Sequence, residues 1–124
     1  MRLLLDTHLL LWALGSPSKL SASACNEIEA AEVYVSAASI WEISIKSALG
    51  KLKADPAQIL AAVEPAGFSV LPITGQHAAK VAELPPLHKD PFDRMLIAQA
   101  LSEPLILFTN DEVMRQYGPF VKVV

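Results

Sequence analysis

The sequence predicts an α/β protein: a parallel sheet covered by helices on both faces, in a single compact domain spanning residues 1–124. Three observations carry this expectation. Segments that read as strands alternate with segments that read as helices along the chain. The strand segments Leu3-Leu4-Leu5, Val33-Tyr34-Val35 and Leu105-Ile106-Leu107-Phe108 are apolar throughout rather than alternating, the pattern of strands buried on both faces. A chain of 124 residues, 52% hydrophobic, can bury one sizeable core but not two.

Element by element, residues 2–5 read as a buried strand and 9–14 as a first helix ending near Gly15-Ser16-Pro17. Leu20-Ser21 has the staple and cap of a second helix running through Ala31. A strand at 33–35 follows, then a helix over about 40–49 closed by Gly50. Pro56 suits the first position of a helix that runs to about Glu64. Residues 68–71 read as a strand and 75–83 as a helix ended by Pro85-Pro86. Pro91 starts a helix through Leu101, 105–108 is a strand, and 121–124 a last one.

One cysteine, Cys25, excludes an internal disulfide and any multi-cysteine zinc site, so a reducing cytoplasm is expected. Asp6 and His8 interrupt the leucine-rich N-terminus, leaving too short a run for a signal peptide, and no segment has the length of a membrane span. The net charge of −3 is local in origin: setting aside Asp6, Glu42, Asp93 and Asp111 leaves nine acids against 10 Lys and Arg. Charge therefore neither supports nor excludes a phosphate substrate.

Those four acids carry most of the functional information. They sit in Leu4-Leu5-Asp6-Thr7-His8, Ser39-Ile40-Trp41-Glu42, Asp90-Pro91-Phe92-Asp93-Arg94 and Phe108-Thr109-Asn110-Asp111, each where a strand ends or a helix begins. In an open parallel sheet such junctions converge on one rim, which would gather the acids into one anionic pocket. That pocket repels itself unless a cation fills it, and an all-oxygen site suits Mg²⁺ or Mn²⁺.

Each acid also has a plainer reading. Asp6 and Asp111 can cap helices, Ser39-x-x-Glu42 has capping-box spacing, and Asp90 before Pro91 is a natural N-cap. Yet helical spacing puts Ser39, Glu42 and Lys46 on one polar strip of a helix whose Ile40, Trp41, Ile43, Ile45 and Leu49 predict burial. Glu42 is therefore expected to face a pocket. Asp93 shares a face with Leu96, Ile97 and Ala100, where an unpaired charge is costly and a metal is one of few adequate partners. Asp93 is the expected ligand and Asp90 the cap or support. Capping explains every acid singly, but not their common rim.

The remaining candidates are weaker. No two of His8, His77 and His88 have i, i+4 ligand spacing; His77 is expected at the surface or its boundary, and His88 near the pocket mouth. Cys25 reads as a packed small residue, and Trp12 and Trp41 as core or interface. No phosphate loop, dinucleotide fingerprint or nucleophile elbow occurs.

With these residues in view, the chain closely resembles the PIN-domain ribonucleases, specifically the VapC toxins of bacterial type II toxin–antitoxin modules. The resemblance runs through Leu4-Leu5-Asp6-Thr7-His8 to Trp12, then Val33 to Ser36 and Ser39-Ile40-Trp41-Glu42-Ile43 with Lys46. It continues from Leu84-Pro85-Pro86-Leu87-His88-Lys89-Asp90-Pro91-Phe92-Asp93-Arg94 to Ala100, and ends at Thr109-Asn110-Asp111, so it covers nearly the whole chain. It implies a PIN-like three-layer α/β/α fold and a Mg²⁺- or Mn²⁺-dependent endoribonuclease. It also implies a homodimer and a VapB-type antitoxin whose tail occupies the active-site groove.

The family's acidic quartet maps onto Asp6, Glu42, Asp93 and Asp111. Of these, Asp6, Asp93 and Asp111 are expected to hold the metal, directly or through water, and Glu42 to position or deprotonate the attacking water. Thr7, Lys46, Asp90, Arg94 and Thr109 are candidates for supporting the site or binding substrate. Lys46 and Arg94 are the phosphate candidates, with a Glu42–Lys46 surface pair as the alternative. Asn110 fills a variable position, and no acid is missing. Nothing here names the RNA.

Three competing readings are distinguishable. A phospho-receiver needs an acceptor Asp after a central strand and a Lys after a late one, and 68–74 and 108–110 supply neither. A structure-specific DNA nuclease of related fold would cleave DNA in place of RNA. A non-catalytic protein-binding module, its acids serving only as caps, would show no divalent-metal dependence.

Overall fold

Five parallel strands form the middle layer of the computed structural model, which describes residues 1–124. They are β1 (Arg2–Leu5), β2 (Glu32–Ser36), β3 (Phe68–Leu71), β4 (Ile106–Thr109) and β5 (Val121–Val123), in the order β3-β2-β1-β4-β5. Six helices connect them: α1 (Thr7–Gly15), α2 (Ala22–Ala30), α3 (Ala37–Ala48), α4 (Pro56–Val63), α5 (Gly75–Lys80) and α6 (Pro91–Ser102). Short 3₁₀ turns span Pro17–Lys19, Val81–Glu83 and Glu112–Tyr117.

The apolar strands do what their composition requires. Side chains alternate across a strand, so Leu4 and Leu107 join Leu96, Ile97 and Ala100 of α6 in one cluster. Leu3, Leu5 and Phe108 join Leu9 of α1 and Ile28 of α2 in another. A third cluster of Leu10, Val35, Ile43 and Val63 ties α1, β2, α3 and α4 together. Leu3, Leu4 and Leu5 are fully buried, as expected of a strand covered on both faces. No helix is long and apolar enough to cross a membrane.

The topology also fixes where a site can form. From β1 the chain crosses to β2 on one side, whereas β4 leads to β5 on the other, so the connections after β1 and β4 part and leave a crevice. Leu5 pairs with Phe108, which brings the next residues, Asp6 and Thr109, together at that crevice.

Several boundaries differ from expectation. The third helix begins at Ala37, not near Ile40, because Ser36 ends β2 and caps the helix directly, its Oγ accepting from the Ala38 N–H at 2.9 Å. Ser39 and Glu42 consequently lie inside α3, and the capping-box reading of that pair fails. The burial expected for this helix also fails on one side: Trp41, Ile45 and Leu49 are exposed, and only Ala38, Ser39, Glu42 and Ile43 are buried. The expected helix over 75–83 relaxes to a 3₁₀ turn after Lys80.

Candidate metal centre

Asp6 stands at the head of the crevice and is only 3% exposed. It caps α1, its Oδ1 accepting from the Leu9 N–H at 2.9 Å, while Oδ2 accepts from the Thr109 hydroxyl at 2.5 Å. Capping and site membership thus coexist in one side chain. Burial pushes the Asp6 carboxyl above its ordinary range, and the bonds from Thr109 and Leu9 oppose that shift.

Glu42 approaches from α3 and is 5% exposed. Its Oε1 accepts from the Thr7 hydroxyl at 2.6 Å, and its Oε2 from Lys46 Nζ at 2.5 Å. Thr7 Oγ1 also lies 3.0 Å from Ser39 Oγ. The strip Ser39, Glu42 and Lys46 therefore faces the site as its spacing predicts, and both oxygens of Glu42 are held by protein donors. The bond to Glu42 in turn raises the Lys46 ammonium pKa.

From the third side, Asp90 caps α6, Oδ1 accepting from the Phe92 N–H at 2.8 Å and the Asp93 N–H at 3.0 Å. Asp93, one turn into the same helix, turns toward the cluster. Burial comes first among the causes that push its carboxyl up to about 7, followed by the charge of Asp90; Asp6 and Glu42 add to the rise and His88 opposes it. Asp111 caps the turn Glu112–Tyr117, its Oδ1 accepting from the Val113 N–H at 3.0 Å. His88 lies against two of these acids: its Nε2 is 2.9 Å from Asp111 Oδ2 and 3.0 Å from Asp93 Oδ2.

Together these residues line a cavity of ≈ 330 Å³ with no hydrophobic side chain on its wall. Asp6, Glu42, Asp90, Asp93 and Asp111 face Lys46, with Thr7, His8 and Asn110 completing the lining. The structure thus brings all four predicted acids to one rim. The donor set fits a hard divalent cation: carboxylate and hydroxyl oxygens predominate, and burial, with Asp90, Asp6 and Glu42 nearby, makes the Asp93 carboxylate costly to ionise without a counter-cation. The ligand atoms of His88, Asp93 and Asp111 lie within 4.8 Å of one another.

Arg94 is a correction. Expected as a phosphate contact, its guanidinium instead binds the carbonyls of Val81 at 3.1 Å, Pro85 at 3.1 Å and Leu84 at 3.4 Å. A planar group with five donors is suited to fastening a loop of unpaired carbonyls, and that is where it points. His77 is another: it is 1% exposed, not at the surface. Its Nδ1 accepts from the Thr74 N–H at 3.1 Å and its Nε2 lies 2.7 Å from Glu103 Oε2, so a capping box buries it. Trp41 is no core residue, since it is 59% exposed and meets Phe92 edge-on at 5.2 Å. Sequence placed His88 only near the mouth; the signal for its anchoring was its place two residues ahead of Asp90, whose N–H reaches its Nδ1 at 3.2 Å.

Residues 3–118 match the family model of the PIN domain. Among solved structures, the chain is similar to VapBC2 from Rickettsia felis bound to a promoter DNA fragment, at 17% identity, TM-score 0.70, covering 100% of this chain and 98% of that one. It is also similar to a toxin–antitoxin complex from Klebsiella pneumoniae, at 18% identity, TM-score 0.66, covering 97% and 95%. DNA-bound VapBC from Salmonella typhimurium gives 19% identity, TM-score 0.66, covering 100% and 97%. At these identities the likeness speaks to the fold. No curated protein sequence matches.

Proposed function

The chain belongs to the PIN domain family, and from that premise we propose that it is a VapC-type toxin. In this reading it is a cytoplasmic, Mg²⁺- or Mn²⁺-dependent endoribonuclease that a VapB-type antitoxin holds silent. The observation that carries the proposal is the convergence of Asp6, Glu42, Asp93 and Asp111 in one polar cavity at the switch point of the sheet. The solved structures it resembles, described as VapBC and toxin–antitoxin complexes, favour the toxin over other nucleases of this fold.

Asp6 and Asp93 hold the cation in this reading, with Asp111 binding it directly or through water. A divalent ion so held supplies a Lewis acid that lowers the pKa of water and offsets charge building on the phosphate. Glu42, fixed at both oxygens by Thr7 and Lys46, orients the attacking water and takes its proton. Water adds to phosphorus, the P–O3′ bond breaks, the departing 3′-oxygen takes a proton from solvent, and the products carry 5′-phosphate and 3′-hydroxyl ends. The 2′-hydroxyl takes no part. Lys46, half in solvent beside the acids, faces the substrate phosphate. Asp90 and Thr109 hold Asp93 and Asp6 in place.

A homodimer needs an apolar face, and Trp41 and Ile45 of α3 form an exposed stripe with Leu49 at its C-cap, spaced i, i+4, i+8. The function is tested by inducing the chain in a bacterial host and sequencing RNA ends. Growth arrest with new 5′-phosphate ends, abolished in Asp6→Asn and relieved by a co-expressed VapB-type antitoxin, is expected. Arrest that persists in Asp6→Asn, or 2′,3′-cyclic phosphate ends, contradicts it.

A further inference from the structure

We infer that His88 is a positioning residue that couples Asp111 to Asp93 and is not itself a ligand of the cation. The inference rests on the proposed metal-dependent function and assigns a role within that same site.

The tautomer of His88 follows from its neighbours. The Asp90 N–H points at Nδ1 at 3.2 Å, so Nδ1 is an acceptor and the ring proton sits on Nε2. Nε2–H therefore donates to Asp111 Oδ2 at 2.9 Å, with Asp93 Oδ2 at 3.0 Å beside it. A histidine that binds metal through Nε2 normally donates from Nδ1 to a carbonyl or carboxylate. Here Nδ1 faces a donor instead, so His88 is not built as a ligand.

Its backbone is fixed as firmly as its ring. The His88 N–H donates to the Tyr117 hydroxyl at 3.0 Å, and that hydroxyl donates to the Pro85 carbonyl at 3.0 Å. Arg94 fastens the same loop through the carbonyls of Val81, Leu84 and Pro85. This gives Arg94 and Tyr117 a purpose the chemistry had not absorbed: they hold the imidazole over the acids.

The consequence concerns the two aspartates. Both oxygens of Asp111 already accept from the protein, Oδ1 from the Val113 N–H and Oδ2 from His88. Asp93 meets His88 only through Oδ2, leaving Oδ1 without a protein donor. Asp93 therefore keeps one oxygen free for a cation, and the imidazole between the two carboxylates links Asp111 to it.

The test uses Mn²⁺ as the probe and electron paramagnetic resonance as the readout, on full-length, metal-stripped protein. His88→Ala is expected to raise the Mn²⁺ Kd by about 10–100-fold, the range for losing an outer hydrogen-bond partner of a ligand. Asp111→Asn should cost a similar factor, and the double variant no more than either alone, because the two act as one unit. His88→Gln, whose amide nitrogen can donate to the same carboxylates, should restore most of the affinity. The wild-type Mn²⁺ spectrum should show no imidazole nitrogen coupling. Nitrogen coupling lost in His88→Gln, an unchanged Kd in His88→Ala, or fully additive losses would each overturn the inference while leaving the metal site standing. Wild-type protein that binds no Mn²⁺ would overturn both. Thermal denaturation of each variant checks that it is folded, and His88→Gln carries the test if His88→Ala is not.

Discussion

Replacing Asp93 by Asn should stabilise the metal-free protein while destroying its function. The Asp93 carboxyl is pushed from 3.8 to about 7 by burial and by Asp90, Asp6 and Glu42, against the pull of His88. The folded state therefore keeps its proton to higher pH than the unfolded chain does, and stability falls as pH rises between those two values. The gap corresponds to about 4 kcal/mol at about 1.36 kcal/mol per pH unit. Solvent at a side chain 21% exposed, with local relaxation, reduces this to roughly 2 kcal/mol. Asn mimics the neutral acid and removes the penalty. Urea unfolding in EDTA should thus show Asp93→Asn more stable than wild type by roughly 2 kcal/mol above about pH 7, with the gain fading to nothing below about pH 4. Adding Mn²⁺ should reverse the order, because only wild type binds the ion well. A variant less stable than wild type at about pH 8, or equal to it at every pH, would refute the claim that this carboxylate is costly to ionise without a counter-cation.

Other substitutions separate the remaining roles. Glu42→Gln should lower kcat by about 10²–10⁴-fold while leaving Mn²⁺ affinity within a few-fold; an equal collapse of affinity would place Glu42 among the ligands. Arg94→Ala should cost about 2 kcal/mol by freeing carbonyls from a charged donor, with faster hydrogen exchange over residues 81–90. Lys should not rescue it; a raised KM with unaltered exchange would instead return Arg94 to the substrate. Trp41→Ser should shift a dimer toward monomer in sedimentation with little change in thermal stability, and an unchanged oligomer would move the interface off α3.

Much of this molecule can be read from its chain because the relevant physics is local. Leu3-Leu4-Leu5 and Leu105 to Phe108 are short apolar runs between helix signals, the pattern of strands buried on both faces, and a parallel sheet follows. The common rim follows too, since Asp6 and Asp111 come just after strands and Asp93 just after a helix start. What could not be read lies in strand ends, exposed faces, loops and distant partners. Ser36 was a cap hidden at the end of a strand, so a capping box was misassigned to Ser39 and Glu42. The fate of Arg94 depended on a loop whose carbonyls face inward, which periodicity does not encode. Trp41 reads as core or interface, and hydrophobicity alone cannot say which, because it does not distinguish a face that packs inside from one left bare. Burial of His77 required Glu103, 26 residues away.

The central claim, that these carboxylates form a cation site for RNA hydrolysis, is most directly tested by one gel. Purified, antitoxin-free protein is incubated with total RNA and with single-stranded and flap DNA, in Mg²⁺ or Mn²⁺ and in EDTA, beside Asp93→Asn. Discrete cleavage of RNA alone that requires the metal and vanishes in the variant is the predicted result. Intact RNA with metal-loaded wild type, or cleavage that survives EDTA and Asp93→Asn, would contradict it.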